Sequence, residues 1–238
     1  MKAEITNRLH AAMDLSDEEQ WQEAIVLFNQ VIAEAPELSQ AWIERGMTWL
    51  NLGENHKALQ DFEKVLTLEP DYPGGRSWYA STLNDLQEHK KAAETKLAAL
   101  RAQPDGKYNM GVSPQDWKTC ADYYCAAGDF EKAAEVLQEY FEGYADKVRA
   151  YAVYETAPLR LYARLLLDKG DLQTALQKAK EAVASAHSNP ADIEMYIEAL
   201  IRNGNKGEGE KLLNEYVQDI HGGLETESIK GLRSLLQA

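Results

Sequence analysis

The sequence lacks the features of a disulfide-bonded, membrane-spanning or secreted protein. Its two cysteines, Cys120 and Cys125, do not have the C-x-x-C spacing of a metal site and are too few for a disulfide framework. No uncharged apolar run approaches the ~18 residues that would cross a bilayer. The N-terminal segment has no apolar secretory core, because Glu4 and Arg8 interrupt it. We therefore predict a cytoplasmic protein with no membrane segment.

Motifs for catalysis and for cofactor binding are also lacking. The glycine pairs at 74–75 and 222–223 are not followed by the Lys-Ser/Thr of a phosphate-binding loop. The five histidines are scattered and form no H-E-x-x-H motif. No G-x-S-x-G sequence frames a nucleophilic serine. We predict that the chain is not an enzyme and that it holds neither a cofactor nor a metal ion.

Positive charge is scarce. The chain has 25 Lys and Arg against 39 Asp and Glu, for a formal net charge of −14. Binding to nucleic acid or to anionic lipid needs a basic surface, so we predict neither partner. A basic partner protein would be attracted, although the same net charge also favours simple solubility.

The sequence does contain an internal repeat with a period of 34 residues. The repeated positions are Ala24, Ala58 and Ala92; Phe28 and Phe62; and Pro36, Pro70 and Pro104. The pattern predicts two amphipathic helices per unit, separated by a short polar turn and ended by proline. Small residues such as Gly46 and Ala58 would allow the two helices to cross closely. Large residues such as Trp42, Trp49 and Phe62 would fill the space between helix pairs.

These residues resemble the tetratricopeptide repeat family, whose pattern is W-x2-L-G-x2-Y, then A-x3-F, then P. The second unit matches at Trp42, Gly46, Ala58, Phe62 and Pro70. It departs from the pattern at Arg45 and Trp49, which stand where the family has Leu and Tyr. Weaker units follow at the turns Gly128-Asp129, Gly170-Asp171 and Asn203-Gly204.

The resemblance implies an all-α fold, a right-handed superhelical solenoid of about six antiparallel helix pairs with a C-terminal capping helix. Units one to three would occupy residues 1–106, and residues 107–113 would form a connecting loop. Units four to six would occupy residues 114–223, with an extended helix near 148–155. The capping helix would occupy residues 224–238.

The resemblance also implies a concave groove lined by the first helix of each pair. On the second unit, Trp42, Gly46 and Trp49 form the predicted core stripe, and the stripe about 100° further round should face the groove. The predicted groove residues are Leu9, Met13, Ile43, Met47, Ser77, Ser81, Asn84, Lys118, Asp122, Arg160, Arg164, Glu194 and Glu198.

The groove predicted in this way is apolar at one end and charged at the other. Arg160 and Arg164 lie one turn apart and could bind one carboxylate or phosphate of a partner. Pairing of these arginines with Glu194 and Glu198 would explain the same residues without a ligand. The sequence leaves both interpretations open.

We predict a protein-binding adaptor or scaffold that holds a peptide or a partner surface in its groove. One alternative is an acidic stoichiometric inhibitor, of the immunity type, that binds a basic partner such as a toxin. Another is an assembly or secretion chaperone. Some family members hold chaperone tails with Lys, Asn and Arg on the inner helices of three adjacent units. Residues such as Met13, Met47, Ser77 and Ser81 provide no such basic clamp here.

Overall fold

A computed structural model describes residues 2–72, 74–102, 113–144, 156–221 and 223–238. These described residues form thirteen helices and no strand. The chain divides into two compact units, Met1–Met110 and Gly111–Ala238, which we call unit 1 and unit 2.

Unit 1 contains three helix pairs. The helices are α1 (Lys2–Asp17), α2 (Trp21–Glu34), α3 (Ser39–Asn51), α4 (Asn55–Leu68), α5 (Gly75–Asp85) and α6 (His89–Arg101). In each pair the second helix folds back on the first, and the second helix also packs on the first helix of the next pair. The turns inside the pairs share a left-handed residue, with φ of 61° at Glu19, 73° at Gly53 and 63° at Gln87. These three residues are spaced by the sequence period.

The core of unit 1 is built from the repeated residues. Phe28 and Phe62 are fully buried, as are Ala24 and Ala58. The absence of a side chain at Gly46 makes room for the Phe62 ring, because a Cβ there would lie 2.6 Å from Cε1 of that ring. The small and large residues of the repeat therefore occupy the positions that the pattern predicts.

Unit 2 contains three helix pairs and a single last helix. The helices are α7 (Pro114–Ala126), α8 (Phe130–Gly143), α9 (Ala157–Lys169), α10 (Leu172–Val183), α11 (Pro190–Arg202), α12 (Lys206–His221) and α13 (Glu227–Gln237). Ser113 and Asn189 begin α7 and α11 with capping boxes, each followed by proline. Such caps satisfy backbone N–H groups that have no partner inside the helix.

The helix α13 lies inside the predicted 224–238 segment. It buries Ile229 and Leu232 against a cluster that includes Ile197 and Leu213 of α11 and α12. It contacts both helices of that pair, as α11 contacts both α9 and α10. It therefore stands where the first helix of another pair would stand.

Two predicted features fall on residues that the structure does not describe. The helix near 148–155 lies outside the described residues, and so does the predicted loop at 107–113 except for Ser113. Among the described helices, none has both the length and the apolar character needed to span a membrane.

Candidate partner-binding site

Several first helices lie next to the first helix of a neighbouring pair. In unit 2, α7 contacts α9, α9 contacts α11, and α11 contacts α13. In unit 1, α1 contacts α3. We call the surface that these first helices form in each unit its inner face. The residues predicted to bind a partner all come from first helices, so they belong to these two inner faces.

The inner face of unit 2 contains a cleft of about 450 Å³ between α9, α11 and α13, which we call the α9–α11–α13 cleft. Its lining residues are Arg160, Arg164, Ala191, Glu194, Met195, Glu198, Ser228, Gly231, Leu232 and Leu235. Four of the predicted residues, the two arginines and the two glutamates, therefore line one cleft. At Gly231 the space is open, because no atom lies within 4 Å of the position that a Cβ would take.

Arg164 is held by an ion pair across the cleft. Its two terminal nitrogens donate to the two oxygens of Glu198 at 2.5 and 2.6 Å. Arg202 donates to the same carboxylate at 3.3 Å and reaches Asp168 at 3.5 Å. Burial alone would lower the pKa of Arg164, but the hydrogen bonds and charge of Glu198 raise it above the ordinary value. Arg164 is thus a permanent cation whose charge is already matched.

Arg160 pairs with Asp192 and not with Glu194. The Asp192 side chain is fully buried and also accepts hydrogen bonds from the Thr156 hydroxyl at 2.6 Å and from the Asn189 N–H at 2.9 Å. The same carboxylate therefore caps α11 and holds Arg160 in place.

Glu194 has two neutral donors instead of an arginine. It accepts hydrogen bonds from the Tyr216 hydroxyl at 2.8 Å and from the Ser228 hydroxyl at 2.6 Å. Burial and the Glu194 carboxylate raise the pKa of Tyr216 far above its ordinary value, so this hydroxyl stays a donor. Pairing within the chain accordingly accounts for both arginines, with Glu198 as the expected partner and Asp192 as an unexpected one.

In unit 1 the structure corrects the predicted exposure of two residues. Leu9 and Ile43 are each only 3% exposed and belong to the hydrophobic core. A first helix packs on its own second helix and on the neighbouring pair, so its buried arc is wider than one stripe. Met47 is 36% exposed and Met13 is partly buried, so these two remain on the inner face.

The predicted residues of α5 are polar and mostly bonded to α6. Ser77 accepts a hydrogen bond from the buried Lys96 at 3.1 Å. Asn84 lies 2.8 Å from Nδ1 of His89, while Ser81 is exposed. This part of the inner face offers hydrogen-bonding groups.

In α7 of unit 2, Lys118 donates to Asp122 at 2.7 Å across one helical turn. The structure thus places both residues in a local pair, and the α9–α11–α13 cleft does not include them. Among the described residues, no group of three or more His, Cys, Asp or Glu side chains is arranged to hold a metal ion.

Sequence reasoning missed the contribution of α13 to the cleft, namely Ser228, Gly231, Leu232 and Leu235. The helix has no repeat signature, so the sequence indicated only that it would cover the end of the stack. Its amphipathic spacing was the available signal, but that spacing does not reveal which helices it packs against.

Comparison with known proteins identifies the repeat. Residues 39–72 match the tetratricopeptide repeat model, and these residues are α3, α4 and the turn that follows. The flanking pairs have the same period and the same packing. Residues 39–72 therefore form one tetratricopeptide repeat. The described residues have the all-helical solenoid fold class that the sequence predicts.

Two curated relatives are co-chaperones by name. The Hsp70-Hsp90 organizing protein of Triticum aestivum is 26% identical over 127 residues, which are 53% of this chain and 21% of that protein. A tetratricopeptide repeat and J domain-containing co-chaperone of Fusarium oxysporum is 27% identical over 134 residues, or 56% of this chain and 20% of that protein. The chain thus spans about a fifth of the length of the curated relatives that it matches.

Solved structures share the fold of this chain at low identity. A structure of Naa15/Naa10 bound to HypK-THB has a TM-score of 0.62 and 20% identity, over 95% of this chain and 33% of that one. YrrB, described as a TPR protein with an unusual peptide-binding site, has a TM-score of 0.60 and 15% identity, over 88% of this chain and 95% of its own.

Proposed function

We propose that this protein is a protein-binding adaptor that holds a segment of a partner protein against its inner faces. The observation that carries the proposal is the α9–α11–α13 cleft, where first helices leave about 450 Å³ open beside apolar and charged side chains. In this proposal the protein acts in the cytoplasm and binds without chemical turnover.

The energetics of the cleft suit binding of a protein segment. Its arginines and glutamates are already fixed by hydrogen bonds, so little side-chain freedom would be lost when a partner binds. Its apolar lining, including Met195 and Leu232, can cover apolar partner groups, and thioether side chains adapt to varied shapes. A preformed site of this kind needs no rearrangement before it binds.

The relatives support the class of function and not the partner. The wheat relative is named as an organizing protein for Hsp70 and Hsp90, and the Fusarium relative as a co-chaperone. Because this chain spans only about a fifth of each, their partners do not transfer to it. Neither the acidic-inhibitor alternative nor the assembly-chaperone alternative is favoured by these comparisons.

A blocked-cleft variant tests the proposal. Gly231→Phe would place a ring in open space inside the cleft. The matched control is Gly207→Phe, at a second exposed helical glycine with open space around it and outside the cleft lining. Each purified protein is immobilised, incubated with native lysate, and its retained proteins are quantified by mass spectrometry.

We expect a set of proteins that the wild type and Gly207→Phe retain and that Gly231→Phe loses at least several-fold. Circular dichroism must show the same helix content and unfolding midpoint for all three proteins. Equal retention by the wild type and Gly231→Phe would remove the cleft from the binding surface. Retention of no protein above a bare-resin background would refute the adaptor proposal.

A further inference from the structure

Two carboxylates of unit 1 have raised pKa values, but their surroundings differ. Asp61 is 3% exposed, and burial raises its pKa even though Arg45 donates two hydrogen bonds to it at 2.8 and 2.6 Å. Burial also raises the pKa of Glu44, and the negative charge of Asp17 raises it further. A hydrogen bond from the Gln40 side chain acts in the opposite direction. Asp61 is a structural carboxylate with its cation in place.

Glu44 has no such cation. Among the described side chains of unit 1, no Lys, Arg or His lies within salt-bridge distance of Glu44 or Asp17. A half-buried carboxylate beside a second negative charge costs stability unless a cation compensates it. The fold therefore keeps an uncompensated anion on the inner face, where folding gains nothing from it.

An exposed methionine lies close to Glu44 on α3. Met47 follows on the same face of α3, one turn away, and is 36% exposed. Met13 of α1 is partly buried, and Gln40, one turn before Glu44 on α3, donates to its sulfur at 3.8 Å. We call Met13, Gln40, Glu44 and Met47 the α1–α3 patch. The patch combines an anion with adaptable thioether side chains.

We propose that the α1–α3 patch binds a partner segment in which a lysine or arginine stands next to an aliphatic residue. The cation would pair with Glu44, and the aliphatic side chain would cover Met47 and Met13. This inference rests on the proposed adaptor function and specifies the partner chemistry at unit 1. A divalent metal ion fits the patch poorly, because Mg²⁺ and Ca²⁺ require six or more oxygen ligands and thioether sulfur is not among those they prefer.

The first test compares stability and binding in the free protein. Glu44→Gln should raise the urea unfolding midpoint at pH 7, because it removes an uncompensated charge. Asp61→Asn should lower the midpoint, because it deprives Arg45 of its charged partner. If Glu44→Gln lowers the midpoint as Asp61→Asn does, Glu44 is a structural residue and the inference is wrong.

The second test uses a display library of random twelve-residue peptides as the probe. Peptides selected on the wild-type chain should be enriched in Lys or Arg next to Leu, Ile, Val or Met. Synthetic copies should bind Glu44→Gln about tenfold more weakly, as expected for a lost charge-assisted hydrogen bond. Their binding should also weaken as NaCl rises from 0.05 to 0.5 M. The matched control is Glu63→Gln, an exposed carboxylate on the second helix α4, which should bind like the wild type.

The outcomes separate this inference from the adaptor function. Selected peptides without a basic residue, or peptides that bind Glu44→Gln as tightly as the wild type, overturn the inference. If such peptides still lose affinity for Gly231→Phe, the adaptor function stands and only the partner chemistry assigned to unit 1 fails. Concentration-dependent self-association that Glu44→Gln abolishes would show that a second copy of the chain occupies the patch, which also overturns it.

Discussion

Replacing Gly46 with alanine should destabilise the protein even though alanine is the better helix former. The new Cβ would lie 2.6 Å from Cε1 and 3.0 Å from Cδ1 of Phe62, whereas carbon atoms in contact normally lie about 3.5–4.0 Å apart. Gly46 and Phe62 are both buried, so neither the helix nor the ring can move into solvent. The chain must therefore separate α3 from α4 or push the ring out of its position.

The same substitution at Gly231 measures what alanine gains as a helix former where it meets no neighbour. Alanine in a helix interior is favoured over glycine by about 1 kcal/mol, and at Gly231 nothing opposes that gain because the surrounding space is open. Overpacking a core typically costs about 1–3 kcal/mol. The free energies of unfolding of Gly46→Ala and Gly231→Ala should thus change by amounts that differ by about 1–3 kcal/mol. Because the substitution is identical, this difference reports the contact with Phe62.

Urea unfolding followed by circular dichroism measures both changes, with linear extrapolation to water. A Phe62→Leu background provides the internal check, since a smaller side chain should remove the penalty of alanine at residue 46 in a double-mutant cycle. A Gly46→Ala variant as stable as Gly231→Ala would refute the close crossing of α3 and α4. If Gly46→Ala destabilises the Phe62→Leu background as much as it destabilises the wild type, the close crossing is refuted as well.

Two further predictions concern carboxylates. Asp192→Asn should lower the free energy of unfolding by about 2–3 kcal/mol, because a fully buried carboxylate loses its charge-assisted bond to Arg160. Asp168→Asn, where the side chain is 59% exposed, should change it by less than about 0.5 kcal/mol in the same urea assay, and equal costs would contradict the assignment. The pKa of Glu44 is raised in the folded state, so the folded protein binds its proton more tightly than the unfolded chain and loses stability as the pH rises through that pKa. Glu44→Gln should therefore have a higher free energy of unfolding than the wild type at pH 7. This difference should narrow as the pH falls toward the ordinary glutamate pKa of 4.5. A difference that stays constant with pH would count against a raised pKa of Glu44.

The helix pairs could be predicted from the sequence because the residues that repeat are the ones that pack the helices against each other. In the second pair Gly46 makes room for Phe62 where α3 and α4 cross, and the same 34-residue spacing places Ala12 and Phe28 at the equivalent residues of the first pair. The turns repeat at the same spacing even where no glycine is present. Glu19 and Gln87 take the left-handed conformation that Gly53 adopts in the second pair, which shows that the packing of the helices determines the turn.

The binding residues could be predicted only in part. The spacing of residues along a helix does not reveal how much of the helix surface the neighbouring helices cover. Leu9 and Ile43 share a face with Met13 and Met47 but lie deeper, where the neighbouring helix pair covers them. Arg160 presented a different difficulty. Its partner is the carboxylate that caps α11, and nothing in the spacing distinguishes that residue from Glu194.

The two inner faces differ in whether their charged side chains already have partners, and the net charge of the chain does not reveal this difference. In the α9–α11–α13 cleft, Arg160 and Arg164 already have carboxylate partners and Glu194 already accepts two hydroxyl hydrogen bonds, so a charged partner group would have to displace an existing contact. Such a cleft gains little from electrostatic attraction and should bind its ligand with weak dependence on salt. In the α1–α3 patch, Glu44 has no cation to displace, and a basic partner group would add a new ion pair. Salt dependence that Glu44→Gln removes and Gly231→Phe leaves intact would therefore assign the electrostatic part of recognition to unit 1.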